Sequence, residues 1–379
     1  MTPSMTTLDP NSPVLADIET PALVVDGTLL AANIERMAAS ARRAGMALRP
    51  HAKTHKSPDI ARRQLRAGAV GIACATLREA EDMVAAGITD LLITSPVVGA
   101  DKVRRVVELH RRSAVMLTVD HPLQVDDISA ALGANDMPLA LLVDVDVGQA
   151  RTGVTGAAEC LALARRIQAA PRLRFAGLQG YAGHVQHIVA AQERAQAAEG
   201  AGTLLRACAD CLSAEGLAAA VISGSGTGSS GFDLGGRCYT ELQVGSYVFM
   251  DADYARLRER DGAPLPYESA LFVLATVVST NRAGQVTVDA GTKALAVNGP
   301  PPDRLIGIAD GGSYRFAGDE HGTITLAPSA PAPTLGSRLL IGATHCDPTV
   351  NLHSGYHVAT GDGTLAYWPI VGRYRSTPP

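Results

Sequence analysis

The sequence predicts an α/β protein: a (β/α)8 barrel over residues 22–255 and an antiparallel β domain made of residues 256–379 with 1–21. Three observations carry this. Residues 22–251 alternate between short continuous apolar runs and amphipathic helical stretches. Continuous apolar runs are what strands buried on both faces of a parallel sheet require. After one leading run the strand-like runs number eight, with seven clear helical connectors. Beyond about residue 255 the helical periodicity gives way to alternating runs rich in Val, Thr, Gly and Pro. An open doubly wound sheet is the alternative to a closed barrel.

The leading run is ALVVD (22–26). A helix follows over 27–45, with Leu30, Ile34, Met37 and Ala38 on one face and Gly45 as its stop. The eight further runs are ALRPHAK (47–53), VGIACAT (70–76), DLLITSP (90–96), AVMLTVD (114–120), LALLVDVDV (139–147), RFAGLQGY (174–181), AVISGSG (220–226) and ELQVGSYVFMD (241–251). Between the first two, SPDIARRQLRAG (57–68) opens with Ser57 as N-cap and Pro58 at the first helical position. The later runs LFVLATVVST, QVTVDAGT, RLLIGATH and TLAYWPIVG read as antiparallel strands.

Composition narrows the function. Of 379 residues, 46% are hydrophobic and 18% charged, so a sizeable core is expected and disorder is not. A net charge of -4 gives no reason to expect nucleic acid or an anionic membrane as partner. Apolar runs such as LALLV fall far short of the roughly 20 residues of a membrane span. The start, MTPSMTTLDPNSP, lacks the basic and apolar pattern of a secretory signal, and the six scattered cysteines read as reduced thiols, so a cytoplasmic location is expected. Cys208 and Cys211 form a CxxC inside a helical stretch and read as two residues of one helix face.

Reactive groups of a β/α barrel collect at the C-terminal strand ends. The first barrel strand ends in Arg49-Pro50-His51-Ala52-Lys53. A lysine at a barrel mouth suits a Schiff base, although a solvated surface lysine gives the same pattern and Lys56 competes. The seventh strand ends in Gly224-Ser225-Gly226-Thr227-Gly228-Ser229, where glycine backbone and hydroxyls suit an anion, and Gly245 and Ser246 of the eighth can complete the cradle. A plain turn is the alternative. The fifth strand carries Asp144, Asp146 and then Arg151; the sixth ends in Tyr181, followed by His184 and His187. An arginine there can hold a carboxylate and a tyrosine can stack on a planar ring. In the β domain, Thr344-His345-Cys346-Asp347 follows a strand. On an extended segment His345 and Asp347 share a face, Cys346 points away, and the pair suits a divalent cation or a simple hydrogen bond.

Taken together, the segments ETPALVVD (19–26), RPHAKTHK (49–56), VDVGQARTGV (145–154), LQGYAGHVQH (178–187), SGSGTGS (223–229), YTELQVGSYVFMD (239–251), DEHG (319–322) and THCDPTVNLH (344–353) resemble the D-threonine aldolase and D-serine dehydratase family, relatives of alanine racemase. The resemblance implies pyridoxal 5'-phosphate (PLP) as cofactor and Lys53 as its Schiff-base lysine. It implies that Thr227, Gly245 and Ser246 hold the phosphate, that Tyr181 and Arg151 line the cofactor, that His187 is the catalytic base, and that His345 and Asp347 bind a divalent metal. Gly226 and Gly228 go with the phosphate loop. The dehydratase branch resembles His-x-Cys with zinc; Asp347 points instead to the aldolase branch with manganese or magnesium. Asp319 is a further candidate ligand, and Arg315 a candidate for a second substrate carboxylate. A homodimer is implied.

The expected reaction cleaves a D-β-hydroxy-α-amino acid, a small molecule, to glycine and an aldehyde. The alternative is a D-serine or D-3-hydroxyaspartate dehydratase giving ammonia and a 2-oxo acid. A non-catalytic PLP-binding protein would lack the β domain, and a sugar- or nucleotide-binding barrel lacks a clearly placed acidic pair.

Overall fold

The computed structural model describes residues 8–236 and 238–374. Residues 1–7 of the opening segment, on which the expectation of no secretory signal partly rests, lie outside the described residues. The chain divides into two compact units: 37–245, 257–263 and from 371 onward; and up to 36, 246–256 and 264–370.

After a 3-10 turn at Pro13–Leu15, strand β1 (Ala22–Asp26) leads into helix α1 (Gly27–Ala44), whose Leu30, Ile34, Met37 and Ala38 are buried as expected. Gly45 stops it with φ of +67°, a left-handed conformation that a side chain would strain. The barrel strands follow: β2 (Ala47–Leu48), β3 (Ile72–Cys74), β4 (Asp90–Ile93), β5 (Ala114–Val119), β6 (Leu139–Asp144), β7 (Leu173–Gly180), β8 (Val221–Gly224) and β9 (Glu241–Leu242). The connectors are α2 (Pro58–Arg66), α3 (Leu77–Ala85), α4 (Ala100–His110), α5 (Pro122–Ala131), α6 (Ala157–Ala169), α7 (Ala191–Ala214) and α8 (Ser230–Asp233). Ser57 takes the N-cap position of α2 with Pro58 after it, but its hydroxyl makes no capping bond.

The sheet order is β2-β9-β8-β7-β6-β5-β4-β3, all parallel. A parallel bridge between His51 and Ala73, with Ala73 N–H donating to Pro50 O at 2.9 Å, joins the two ends. The sheet therefore closes, and the expected (β/α)8 barrel is present. All six residues of β6 are buried, as a strand covered on both faces must be.

The second unit holds β10 (Leu271–Arg282), β11 (Gln285–Val288), β12 (Leu305–Ile306), β13 (Ser313–Phe316), β14 (Gly322–Thr325), β15 (Arg338–Gly342), β16 (Gly355–Ala359) and β17 (Leu365–Pro369), with α9 (Ala252–Ala255) and α10 (Cys346–Leu352). Its order is β13-β14-β11-β10-β1-β16-β17, with β15 on β10 and β12 on β15. The leading strand thus belongs to this sheet and not to the barrel sheet. It pairs antiparallel with β10 (Leu23 opposite Val273) and parallel with β16. A strand buried at all five positions reads alike in a barrel and at the centre of a mixed sheet. The segment before β1 joins the same unit: Leu15 and Ile18 pack with Val24, Phe272, Leu274 and Leu340.

All six cysteines are free, and Cys208 and Cys211 lie together on α7. Among the described residues no helix is long and apolar enough to cross a membrane.

Candidate active site

Parallel strands put all their C-terminal ends at one end of the barrel. Five consecutive strands, β2-β9-β8-β7-β6, carry the residues singled out in the sequence. Lys53 follows β2, Gly245 follows β9, the Gly226–Thr227–Gly228 loop follows β8, Tyr181 and His187 follow β7, and Arg151 follows β6. Neighbouring strands lie about 4.8 Å apart, so these positions line one arc of the mouth.

Lys53 is half-buried in the 3-10 turn Ala52–Thr54. Its N–H donates to His51 Nδ1 at 3.3 Å, and His51 Nε2 lies 3.1 Å from Thr94 Oγ1. Lys56 is differently placed. Its Nζ donates to Glu79 Oε1 at 2.8 Å and to Gly372 O at 3.0 Å, an ion pair largely shielded from water. An amine tethered in that way is poorly placed to attack a carbonyl. Arg151 is exposed, with its guanidinium 5.6 Å from the centre of the half-buried Tyr181 ring. His184 and His187 are both exposed.

Gly226, Thr227 and Gly228, the residues expected to hold the phosphate, are buried. The expectation that the loop glycines offer N–H groups to an anion needs correction at Gly228. Its N–H donates to Gln186 Oε1 at 2.8 Å, and Ser229 N–H reaches the same oxygen at 3.2 Å. Ser229 Oγ is also taken, donating to Asp233 Oδ2 at 2.6 Å. The neighbouring carbonyl, Gly228 O, accepts from Arg194 Nε at 2.9 Å. At Gly245 an added Cβ would lie 2.6 Å from Thr54 Oγ1, a fully buried atom with no hydrogen-bond partner among the described residues. Ser246 is buried at the start of the turn Ser246–Val248. A primary amine at a strand end, a glycine loop bearing the Thr227 hydroxyl, and a guanidinium over a phenol ring form a donor set that fits a phosphorylated pyridine aldehyde.

Beneath this arc the barrel interior is polar. Arg49 Nε donates to Glu241 Oε2 at 2.9 Å, and Ser223 Oγ donates to Glu241 Oε1 at 2.6 Å. Gln243 Nε2 bridges Ser223 Oγ at 2.9 Å and Gln179 Oε1 at 3.1 Å. Gln179 Nε2 then donates to Asp144 Oδ1 at 2.9 Å, and Thr152 Oγ1 to Asp144 Oδ2 at 2.7 Å. The chain runs from β9 to β8, back to Gln243 just after β9, and from there to β7 and β6. Burial pushes the Asp144 carboxyl up to about 6; the Gln179 and Thr152 hydrogen bonds and Arg151 pull it back, while Asp120 adds to the rise. Burial also works against the Arg49 charge, but Glu241 and Asp90 outweigh it and hold the guanidinium above its usual value.

In the second unit, the expected extended His345–Asp347 segment is not extended. His345 is the N-cap of α10 (φ -144°, ψ 123°), and Asp347 sits in the first turn of the helix. Alternation along a strand therefore does not describe the pair: His345 caps the helix and Asp347 lies two residues on, in its first turn. An acidic residue in a first turn is favoured by the helix dipole, and Cys-Asp-Pro is a helix-opening pattern that the strand reading passed over. His345 Nδ1 lies 2.9 Å from Asn298 Nδ2, the kind of contact that orients a metal-binding imidazole. Cys346 is fully buried, its Sγ bonded to Met250 O at 3.3 Å. Sequence reasoning missed Asp251. Its Oδ2 accepts from Cys346 N–H at 2.8 Å and its Oδ1 from Tyr254 N–H at 3.0 Å. Burial pushes its carboxyl up to about 6; the two backbone bonds and His345 lower it, and Asp347 raises it. Among the described residues no group of three or more His, Cys, Asp or Glu forms a metal cluster. Asp319 is exposed, 3.3 Å from Thr292 Oγ1 and 3.9 Å from Lys293 Nζ, and Arg315 is exposed on β13.

The comparisons with known proteins agree with this fold. The alanine racemase N-terminal domain family matches residues 25–253, and the putative serine dehydratase domain family matches residues 270–359. D-threonine aldolase of Arthrobacter sp. is 43% identical over 360 residues, 95% of this chain and 94% of that protein. The 3-hydroxy-D-aspartate aldolase of Paracoccus denitrificans (strain Pd 1222) is 36% identical over 363 residues, 94% and 93% of the two chains. The crystal structure of D-threonine aldolase from Filomicrobium marinum aligns with a TM-score of 0.88 at 40% identity, covering 94% of this chain and 96% of that one. A shared barrel, a shared second domain and near-complete coverage by relatives of this identity place the chain in the D-threonine aldolase and D-serine dehydratase family of alanine racemase-like enzymes.

Proposed function

We propose that this enzyme cleaves D-β-hydroxy-α-amino acids of the D-threonine type to glycine and an aldehyde. PLP is bound through Lys53, and a divalent metal, manganese or magnesium in preference to zinc, is held by His345 and Asp347. The observation that carries the reading is the arc of five neighbouring strand ends bearing Lys53, Gly245, Thr227, Tyr181 with His187, and Arg151.

PLP, when bound, supplies an electron sink for cleavage of the Cα–Cβ bond. A divalent metal held by His345 and Asp347 would supply a Lewis acid for the β-hydroxyl. The residues of the chain do the rest. Lys53 would provide the amine that anchors the cofactor. Thr227, Gly245 and Ser246 hold the phosphate, with Gly226 and Gly228 shaping the loop. Tyr181 and Arg151 would line the cofactor. His187, exposed at the mouth, takes the proton of the β-hydroxyl as the Cα–Cβ bond breaks. The enzyme works in the cytoplasm as a homodimer.

The test is product analysis with D-threonine and D-3-hydroxyaspartate under added manganese. Glycine and an aldehyde are expected. Ammonia and a 2-oxo acid would replace the reading with a dehydratase.

A further inference from the structure

We propose that Gln186 is the positioning residue of the phosphate loop, locking that loop onto the segment that carries His187. This rests on the reading of Thr227 and its neighbours as the PLP phosphate site.

Gln186 is completely buried although it stands next to the exposed His187. A buried carboxamide is costly unless its donor and acceptor atoms are paired. Here both are. Oε1 accepts from Gly228 N–H at 2.8 Å and Ser229 N–H at 3.2 Å, while Nε2 donates to Ser229 Oγ at 3.0 Å and Ala182 O at 3.2 Å. One side chain thus ties three groups of the loop to the segment that bears the base. The glycines are explained by the same contact. A Cβ at Gly226 would lie 2.4 Å from Gln186 Oε1, and one at Gly228 would lie 2.5 Å from Gln186 O. The loop is therefore glycine-rich because Gln186 packs flush behind it. Arg194 reinforces the arrangement from the same segment, donating to Gly228 O at 2.9 Å and Ile188 O at 2.6 Å. With Gly228 held at both its N–H and its carbonyl, the tip at Thr227 has a fixed backbone. A preorganised anion site binds more tightly than one that must be ordered by its ligand.

The distinguishing readout is the phosphate itself. The full chain is titrated with PLP and, separately, with pyridoxal, which lacks the phosphate. Gln186→Met keeps the side-chain length and removes every hydrogen bond. It is expected to weaken PLP by at least tenfold while pyridoxal affinity changes less than about twofold. Ser229→Ala, which removes one of the Gln186 partners, is expected to lower the PLP-to-pyridoxal preference in the same direction by a few-fold, and it decides the matter if the methionine variant does not fold. An unchanged preference in a folded variant, or an equal loss for both ligands, overturns the proposal. If the unsubstituted chain shows no preference for PLP over pyridoxal, the phosphate-site reading fails instead, and that result is distinct.

Discussion

The two units build reactive clusters by different means. In the barrel, topology does the work: parallel strands put Lys53, Gly245, Thr227, Tyr181 and Arg151 at one end, on five neighbouring strands, whatever the details of their loops. In the second unit no such rule operates. His345 caps a helix start, Asp347 sits in its first turn, and the buried carboxyl of Asp251 accepts a hydrogen bond from Cys346, 95 residues away. The lesson is that a site made by topology can be read from the order of elements, whereas a site made by a local cap needs the cap itself to be seen.

That contrast can be broken or sharpened by substitution. Lys53→Ala should have the largest effect. It should lower turnover by on the order of 10⁴-fold and remove the visible absorbance of bound cofactor, because the covalent route is lost. An intact absorbance band would move the anchor to Lys56. Next comes the polar floor of the barrel. Glu241→Ala leaves the Arg49 charge buried with only Asp90, and should cost about 3–5 kcal/mol in urea unfolding; a cost under about 1 kcal/mol would show that the floor is not a coupled unit. In the second unit, Asp347→Ala should lower turnover by about 10²–10³-fold while leaving PLP absorbance unchanged, since it touches the metal reading and not the cofactor arc. Equal loss of both would mean that Asp347 serves folding.

The smallest effect is a matter of pH. The Asp144 carboxyl is raised from 3.8 to about 6, so the folded state holds its proton more tightly than the unfolded chain does. The fold bears no penalty from this group below pH 4. The penalty grows between pH 4 and 6 and persists above. Asp144→Asn should therefore stabilise the chain at pH 8 by up to about 3 kcal/mol and make no difference near pH 4. A constant difference across that range would contradict the burial argument.

Much of the barrel is legible in the sequence because continuous apolar runs such as LALLVD leave few alternatives. The leading strand ALVVD is ambiguous on the same signal: burial at all five positions does not say which sheet does the burying. Lys53 and Lys56 cannot be separated by spacing alone. Their difference lies in Glu79 and Gly372, contacts made by folding across 23 and 316 residues. Gln179, Gln243 and Glu241 do leave a trace, as polar residues inside apolar strands, but their partners lie on neighbouring strands and only the closed barrel joins them. Gln186 leaves less. Between Val185 and His187 it looks like an exposed polar residue, and only the fold shows it buried.

The central claim is that Lys53 holds the cofactor at the mouth of this barrel. Borohydride reduction of the PLP-loaded enzyme, followed by peptide mapping, fixes the cofactor to whichever lysine carries it. The phosphopyridoxyl label is expected on Lys53, with Lys56 unmodified. Label on Lys56, or on neither lysine, would contradict it.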